Sequence, residues 1–216
     1  MTDEQEVARI FLDIEAVHFC TEPPFRFTSG VLSPTYVDCR KLISFPKQRN
    51  RVLEILENKI HGLDLDAIDY IAGGETAGIP YASFLAERLA LPMIYVRKKP
   101  KGFGKHLQIE GFLKEGSSVL LVEDLMFDAG SKLNFKSAIE AAESRVLYLI
   151  CIFSYGFKLA EERLREAGLR HLSLTNWSVL IEEAEERNYF NVEQAKKIRN
   201  FLENPKEWAI KTGIVK

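Results

Sequence analysis

Cysteine is scarce in this chain: the 216 residues include three, Cys20, Cys39 and Cys151. An odd number without metal-ligand spacing argues against a disulfide framework and against a cysteine-based metal site. The four histidines show no metal-ligand spacing either. We therefore expect reduced thiols, which are typical of a cytoplasmic protein.

Long apolar runs are also absent, since the longest, residues 146–153, is far shorter than the roughly 20 residues that span a bilayer. The first residues are charged and lack the apolar core of a signal peptide. A formal net charge of −2 indicates no generally basic surface. We expect neither a membrane nor a nucleic-acid partner, so any phosphate site must arise from locally placed charge.

The N-terminal part combines helices with an irregular segment. Apolar residues at the helical period predict an amphipathic helix over residues 2–19, capped by Thr2 or Asp3. Prolines and turn-forming pairs predict two short strands around a turn over residues 22–40. A second helix is expected over residues 45–60.

From residue 62 onward the pattern alternates between strand and helix, which predicts a parallel central sheet with helices on both faces. Strands are expected at 68–72, 93–96, 119–122, 146–153 and 171–174, and helices at 79–89, 131–143, 158–166, 177–186 and 192–203, before a polar tail. We expect one α/β domain over 1–216. It divides into a small N-terminal elaboration (1–45), an α/β core (62–176) and C-terminal helices (177–216).

Two adjacent acids, Glu123 and Asp124, follow an apolar strand, and a short loop with Gly130 leads to a helix opened by Ser131. Such acids can simply solvate the end of a strand. Ligands of open α/β sheets bind beyond the carboxyl ends of strands, however, where helix N-termini bind anions. Residues 119–132 therefore predict a site in which the two carboxylates bind a ribose diol and the loop binds a phosphate. The carboxylates would also place negative charge beside a carbon that becomes cationic during glycosyl transfer.

A second strand-to-helix loop spans residues 73–78 and contains three glycines. It lacks the spacing of a Walker or dinucleotide-binding loop, and a plain flexible connection is the alternative. Two loops able to bind anions at one edge of the sheet could hold the two phosphate ends of one substrate.

A long irregular segment, residues 97–111, holds five Lys or Arg residues between positions 97 and 105. Lysine-rich segments usually form a solvated face. The glycines of this segment and its place after a sheet strand favour a lid that closes over a polyphosphate, neutralises the leaving group and excludes water. Within it, His106 is a candidate acid or charge partner.

Residues 119–131 resemble the phosphoribosyl-diphosphate (PRPP) motif of the type I phosphoribosyltransferases, in which an apolar strand, two acids and a small-residue phosphate loop follow one another. Three further stretches are similar to the orotate branch of that family, the orotate phosphoribosyltransferases. They are residues 27–38, with the pattern Phe-Thr-Ser-Gly and Ser-Pro-x-Tyr-x-Asp, residues 78–80, and the basic segment 95–111.

The resemblance implies a type I phosphoribosyltransferase-like fold with a small N-terminal hood over the base. It implies transfer of the phosphoribosyl group from PRPP to orotate, which gives orotidine 5′-phosphate and pyrophosphate in UMP biosynthesis. Mg²⁺ would be the cofactor, bound mainly through PRPP without a certain direct protein ligand. The lid would reach the neighbouring subunit's site in a homodimer.

Carried over by position, the site residues that the resemblance implies fall into three groups. The resemblance implies that PRPP contacts Thr76, Ala77, Arg97, Lys98, Lys101, Glu123, Asp124, Asp128, Ala129, Gly130 and Ser131. It implies orotate contacts from Thr28, Ser33, Tyr36 and Phe127. The catalytic residues would be Arg97, Lys99, Lys101 and Asp124.

Five positions depart from the family's pattern, and one of them is Val31, which follows Ser-Gly where some members of the family have arginine. Phe103 stands where the lid usually has histidine, and Phe127, Asp128 and Ala129 replace the usual hydroxyls and glycine of the phosphate loop. These departures leave two alternatives: a phosphoribosyltransferase for another base, and a non-catalytic protein that senses PRPP or a nucleotide.

Overall fold

A computed structural model of the chain describes residues 1–20, 23–27, 30–63, 67–101 and 108–211. The chain begins with helix α1 (Asp3–Asp13), whose N-terminus is closed by a capping box between Thr2 and Gln5. The helix is shorter than predicted, because Glu15 has a positive φ of 52° and Val17–Phe19 forms strand β1. Strand pairing with residues 35–37 overrides the helical period of this segment.

The N-terminal elaboration contains two small antiparallel pairs of strands. Strand β2 (Phe25–Arg26) pairs with β3 (Leu32–Ser33), which confirms the predicted strands around a turn. Strand β4 (Thr35–Val37) pairs with β1, and we call strands β1 to β4, together with Phe27 directly after β2, the hood. A 3-10 helix (Cys39–Ser44) and helix α2 (Pro46–His61) follow, with the proline in the tolerated first turn of α2.

Six strands form the central sheet: β5 (Tyr70–Gly74), β6 (Met93–Val96), β7 (Ile109–Glu110), β8 (Ser118–Met126), β9 (Arg145–Ser154) and β10 (Arg170–Asn176). Their order is β10-β9-β8-β5-β6-β7. Neighbouring strands are parallel, except that β7 runs antiparallel to β6. The carboxyl ends of the parallel strands therefore meet at one edge, as the alternating pattern predicted.

Helices cover both faces of this sheet: α3 (Gly78–Leu89), α4 (Gly130–Ala141), α5 (Lys158–Glu166), α6 (Trp177–Glu186) and α7 (Val192–Glu203). Side chains alternate along β8. Leu120 and Val122 belong to a cluster with residues of α1, α2, α3, α6 and α7, whereas Val119 and Leu121 pack with residues of α4 and α5. The predicted α/β architecture is confirmed. In the described ranges, no helix has the length and apolar character to cross a membrane.

The predicted polar tail is wrong for its first part, because helix α8 (Pro205–Lys211) follows α7. Trp208 is 8% exposed, and its ring lies 5.5 Å from that of Phe201 on α7. Burial of one large aromatic ring fixes this helix on the protein, and the polar residues around Trp208 conceal that contact in the sequence.

Candidate active site

Strand β8 extends beyond its predicted end and includes the two acids. The sequence predicts an end at Val122, but β8 continues to Met126, so Glu123 and Asp124 lie within the strand. Its pairing with β5 stops where Val122 faces Gly73, whereas its pairing with β9 continues to Met126. The acids therefore lie where one neighbouring strand has ended while the other still supports the backbone.

Glu123 is held between the second loop and helix α4. Its Oε2 lies 2.7 Å from Lys132 Nζ, and the residue is 4% exposed. A Cβ at Gly74 or Gly78 would lie 2.3 Å or 2.6 Å from Glu123 Oε1, so a larger residue at either position would displace the Glu123 carboxylate. Burial raises the pKa of Glu123, and Lys132 opposes that rise. Burial alone would lower the pKa of Lys132, but the charge of Glu123 raises it overall, so the ammonium stays protonated.

Asp124 is the more open of the two acids. It is half-buried and lines a cleft of about 640 Å³ at the carboxyl edge of the sheet. Burial raises the pKa of Asp124, while Lys132 and the backbone N–H groups of residues 124 and 125 lower it. An ionised carboxylate in this position can accept hydrogen bonds from two neighbouring hydroxyls of a sugar.

The loop after β8 turns at Ala129, which has a positive φ of 64°. The predicted capping of the helix by Ser131 is wrong, because α4 begins at Gly130 and its N-cap, Ala129, has no side-chain oxygen. Instead the Asp128 carboxylate accepts a hydrogen bond from the Gly130 N–H at 3.0 Å, and Arg163 donates to the Asp128 carbonyl oxygen at 3.0 Å. Asp128 thus occupies an N–H group of the kind that binds anions at helix N-termini.

The second loop reaches the same cleft. Thr76 and Ala77 line the cleft, and the Glu75–Thr76 peptide bond is cis. Glu75 Oε2 accepts a hydrogen bond from the Lys98 backbone N–H at 2.7 Å, and Asn134 of α4 donates to the Lys98 carbonyl oxygen at 3.1 Å. These contacts join the second loop, the start of the basic segment and α4, so both loops face one space.

The described part of the basic segment forms a narrow ribbon at the edge of the sheet. The Arg97 N–H donates to the Gln108 carbonyl oxygen at 2.7 Å. The Arg97 guanidinium and the Lys101 ammonium lie 3.5 Å and 3.9 Å from Glu110 Oε1. Two of the cations that were predicted for the lid, Arg97 and Lys101, therefore lie beside the same acid, Glu110 on β7.

The predicted lid residues are only partly brought to the cleft. Lys98 lines it, whereas Arg97, Lys99 and Lys101 are not among the described residues around it. Residues 102–107, which include Phe103 and His106, lie outside the described residues. The lid and the role of His106 stay predictions.

Aromatic rings of the hood close the other side of the cleft. The ring of Phe127 lies 4.4 Å from that of Phe27 and 4.9 Å from those of Tyr155 and Phe157. Phe127, for which an orotate contact is predicted, is half-buried and lines the cleft. Its ring also connects the phosphate loop to the hood.

The other residues that were predicted to contact orotate do not all lie at the cleft. Tyr36 lines the cleft, and its hydroxyl oxygen accepts a hydrogen bond from Arg40 at 2.7 Å. Ser33 is fully buried, and its hydroxyl donates to the Thr35 carbonyl oxygen at 2.6 Å, so it holds the turn of the hood together. Thr28 lies outside the described residues.

Three cations of the cleft were missed by sequence reasoning: Arg26, Arg40 and Lys132. Lys132 had a readable signal. It shares the buried face of α4 with Phe135 and Ile139, three and seven residues further on, so the helical period places it inside the protein. A lysine at such a position needs a charged partner.

A larger groove of about 1190 Å³ lies on the other side of Phe127. It is lined mainly by apolar side chains, such as Phe157, Trp177 and Ile181, and neither acid of β8 reaches it. The smaller cleft is the better candidate for chemistry, because the acids, the cations and both loops converge there.

The cleft suits a ligand with several distinct parts. Asp124 can accept hydrogen bonds from a diol, and the start of α4 and the second loop can each bind a phosphate. Arg26 and Arg40 with the aromatic rings of the hood suit a planar anionic group. A doubly phosphorylated sugar and a planar acid would together use all of these features.

Comparisons with known proteins identify the fold and the family. No family model matches the chain. UMP synthase from Leishmania donovani has a similar structure, with a TM-score of 0.79 and 25% identity; the match covers 92% of this chain and 42% of that longer one. Orotate phosphoribosyltransferase from Aeropyrum pernix matches with a TM-score of 0.72 and 26% identity, over 86% of this chain and 99% of the other. The fold is that of a type I phosphoribosyltransferase.

Comparison of amino-acid sequences identifies the family within this class of enzymes. A relative from Jannaschia sp. (strain CCS1), named orotate phosphoribosyltransferase, is 50% identical over 209 residues, which are 96% of this chain and 92% of that protein. The chain therefore belongs to the orotate phosphoribosyltransferase family.

Proposed function

We propose that the protein transfers the 5-phosphoribosyl group of PRPP to orotate, forming orotidine 5′-phosphate and pyrophosphate in the synthesis of UMP. The observation that carries the proposal is the convergence of Asp124 and both anion-capable loops in one cleft that the hood closes. Membership in the orotate phosphoribosyltransferase family supports the choice of orotate as the base.

In the proposed complex, each part of PRPP meets a different element. The Asp124 carboxylate accepts hydrogen bonds from the ribose hydroxyls, and the start of α4 with Ser131 binds the 5′-phosphate. The backbone at Thr76 and Ala77 faces the pyrophosphate. Orotate lies under the hood, beside Tyr36 and Phe127.

The reaction breaks the bond between the anomeric carbon and the pyrophosphate oxygen, and the electron pair leaves with pyrophosphate. An orotate ring nitrogen then forms the new bond to the same carbon, and its N–H proton is released to water. Asp124 places negative charge beside the carbon as it becomes cationic, and Lys98 places positive charge beside the leaving group. We propose that Arg97, Lys99 and Lys101 add to this charge when the basic segment closes.

Mg²⁺ is the proposed cofactor. Among the described residues, no three His, Cys, Asp or Glu side chains cluster as a metal site, and the cleft instead offers Asp124 as an open carboxylate. This donor set suits Mg²⁺, which keeps several waters and binds through one or two carboxylates and substrate phosphates. When bound, it would neutralise charge that develops on pyrophosphate.

We also propose a homodimer in which the basic segment reaches the neighbouring cleft. The Lys101 side chain is 72% exposed and approaches Glu110 of β7, so it extends at the edge of the sheet outside its own cleft. A cytoplasmic location is part of the proposal as well, and the free thiols of Cys20, Cys39 and Cys151 support it.

Steady-state turnover tests the proposed reaction. When purified protein is mixed with orotate, PRPP and Mg²⁺, the absorbance of orotate should fall. One pyrophosphate should be released for each orotate consumed. Adenine in place of orotate should give no product. Turnover with adenine and none with orotate would assign another base, and PRPP binding in calorimetry without any product would assign a non-catalytic role.

A further inference from the structure

Lys132 joins the first acid of β8 to the phosphate loop. Its Nζ lies 2.7 Å from Glu123 Oε2 and 3.1 Å from Ser131 Oγ, and the residue is 6% exposed. It occupies the face of α4 that otherwise buries Phe135 and Ile139. The ammonium therefore stands at a helix position that normally holds an apolar side chain.

Stability alone does not account for this lysine. Removing two charges from water costs about as much as their attraction returns, and well-packed apolar residues often replace a buried ion pair without loss. The position of the pair is informative instead. Both Lys132 and its neighbour Ser131 line the cleft that holds Asp124 and the second loop.

The hydrogen bond between Lys132 and Ser131 determines which way the Ser131 hydroxyl hydrogen points. A lysine ammonium has three donors and no acceptor, so Ser131 Oγ must accept the hydrogen bond from Lys132. The Ser131 hydroxyl hydrogen then points away from the ammonium and is free to donate elsewhere. A positive charge on the accepting side also strengthens the hydroxyl as a donor.

Ser131 is also the one hydroxyl of its loop, since residues 127–131 read Phe-Asp-Ala-Gly-Ser. The loop in addition carries the negative charge of Asp128, which lies on the Gly130 N–H. A phosphate group that binds here depends on one hydroxyl and needs a nearby cation to offset the acid.

We propose that Lys132 is a positioning residue for the 5′-phosphate of PRPP: anchored on Glu123, it orients and strengthens the Ser131 hydroxyl as a phosphate donor. The inference deepens the proposed function and rests on it. Lys132 acts through Ser131 and makes no bond to the reacting carbon.

Calorimetric binding of two probes separates the two ends of the substrate. In Lys132→Met, the affinity for ribose 5-phosphate should fall by about tenfold or more, as expected for a lost hydrogen bond to a charged group. The affinity for pyrophosphate should change by less than about twofold, because that group meets the second loop. Lys136→Met is the matched control, since Lys136 lies one turn further along α4 and pairs with Glu140 at 2.5 Å. It should leave both affinities unchanged.

A double-mutant cycle distinguishes this role from a structural one. Ser131→Ala should weaken ribose 5-phosphate binding by about tenfold in the wild-type background and by about twofold or less in the Lys132→Met background. A purely structural lysine predicts the same fold-loss in both backgrounds. Equal losses would therefore overturn the proposal.

Loss of the ammonium leaves Glu123 buried without its partner, so folding needs its own control. The double variant Glu123→Gln/Lys132→Met removes both charges, and its melting curve reports whether it folds. Folded, it should still bind ribose 5-phosphate about tenfold more weakly than wild type, and wild-type affinity would overturn the proposal. Wild-type protein that binds neither PRPP nor ribose 5-phosphate would overturn the proposed function and this inference together. Normal wild-type binding with an unaffected Lys132→Met would overturn this inference alone.

Discussion

The Asp128 carboxylate accepts a hydrogen bond from the Gly130 backbone N–H at 3.0 Å, at the first residue of α4. A side chain of the protein thus uses a donor that a phosphate group would use. The turn at Ala129, with its positive φ, brings the acid back onto the helix. In our account, the 5′-phosphate of PRPP must bind beside this negative charge.

Asp128→Asn should therefore tighten PRPP binding. The amide oxygen still accepts from the Gly130 N–H, whereas the repulsion between two anions is removed. We expect the Kd for PRPP to fall by about two- to fivefold at low ionic strength, and the difference to shrink as salt is added. Glu115→Gln, an exposed acid before β8 at the opposite edge of the sheet, serves as the control. Weaker binding in Asp128→Asn would show that the phosphate does not approach this acid.

Phe127→Ala should loosen the hood. The ring contacts Phe27, Tyr155 and Phe157, and its partial burial gives an expected loss of about 2 kcal/mol in the free energy of unfolding. The KM for orotate should rise more than the KM for PRPP, because the hood loses its contact with the loop. Urea denaturation and steady-state kinetics measure the two effects. Phe112→Ala, at a residue 77% exposed, should change stability by less than about 0.5 kcal/mol. An equal rise in both KM values would argue against the hood as the orotate side of the cleft.

Gly74→Ala should distort the second loop. The added Cβ would lie 2.3 Å from Glu123 Oε1 and 2.5 Å from Phe135 Cε2. Overpacking of this kind costs about 1–3 kcal/mol of stability, and displacement of Glu123 should weaken pyrophosphate binding. Gly62→Ala is the control, because its Cβ would meet a Lys59 backbone oxygen at 3.3 Å, far from the cleft. If folded Gly74→Ala bound pyrophosphate as tightly as wild type, the second loop would not be the pyrophosphate site.

Lys101→Ala tests the basic segment. The side chain is 72% exposed, so the free energy of unfolding should change by less than about 0.5 kcal/mol. Turnover should fall by at least about tenfold, since charge on the leaving pyrophosphate loses a stabilising cation. The exposed Lys114, before β8 at the opposite edge of the sheet, provides Lys114→Ala as the control. A wild-type rate would remove Lys101 from the catalytic residues.

PRPP binding should weaken as the pH falls, through protonation of Asp124. Burial raises the pKa of this carboxyl, against the opposing charge of Lys132. The acid is therefore protonated at a higher pH than an exposed aspartate, and a protonated carboxyl is a poorer acceptor for the ribose hydroxyls. The phosphates of PRPP also titrate, so the comparison is with Asp124→Asn. That variant should bind more weakly at neutral pH and show a shallower dependence, and parallel pH profiles would exclude Asp124 from ribose binding.

Local patterns were sufficient for most of the fold. The bounds of β6, α5, α6 and α7 match their predicted ranges, because apolar periodicity and turn residues specify each element locally. The motif of β8 also located the acids and the loop of the cleft. The family that these stretches predicted is confirmed by the relative that is 50% identical over 209 residues.

Long-range contacts account for what was missed. Pairing with β9 carries β8 past Val122, and pairing in the hood ends α1 early. Serine is common at helix N-caps, which favoured Ser131 as the start of α4, but the turn at Ala129 starts the helix one residue earlier, at Gly130. The partner of Lys132 is an acid on another element, so periodicity could mark the lysine as buried but could not identify its role.

A crystal structure of the protein with bound PRPP would show which residues bind each part of the substrate. We expect the 5′-phosphate on the Ser131 hydroxyl, beside the Asp128 carboxylate that accepts from the Gly130 N–H, the ribose hydroxyls on Asp124, and the pyrophosphate beside Thr76 and Ala77. PRPP bound outside this cleft, or a ribose that contacts neither acid of β8, would contradict this expectation.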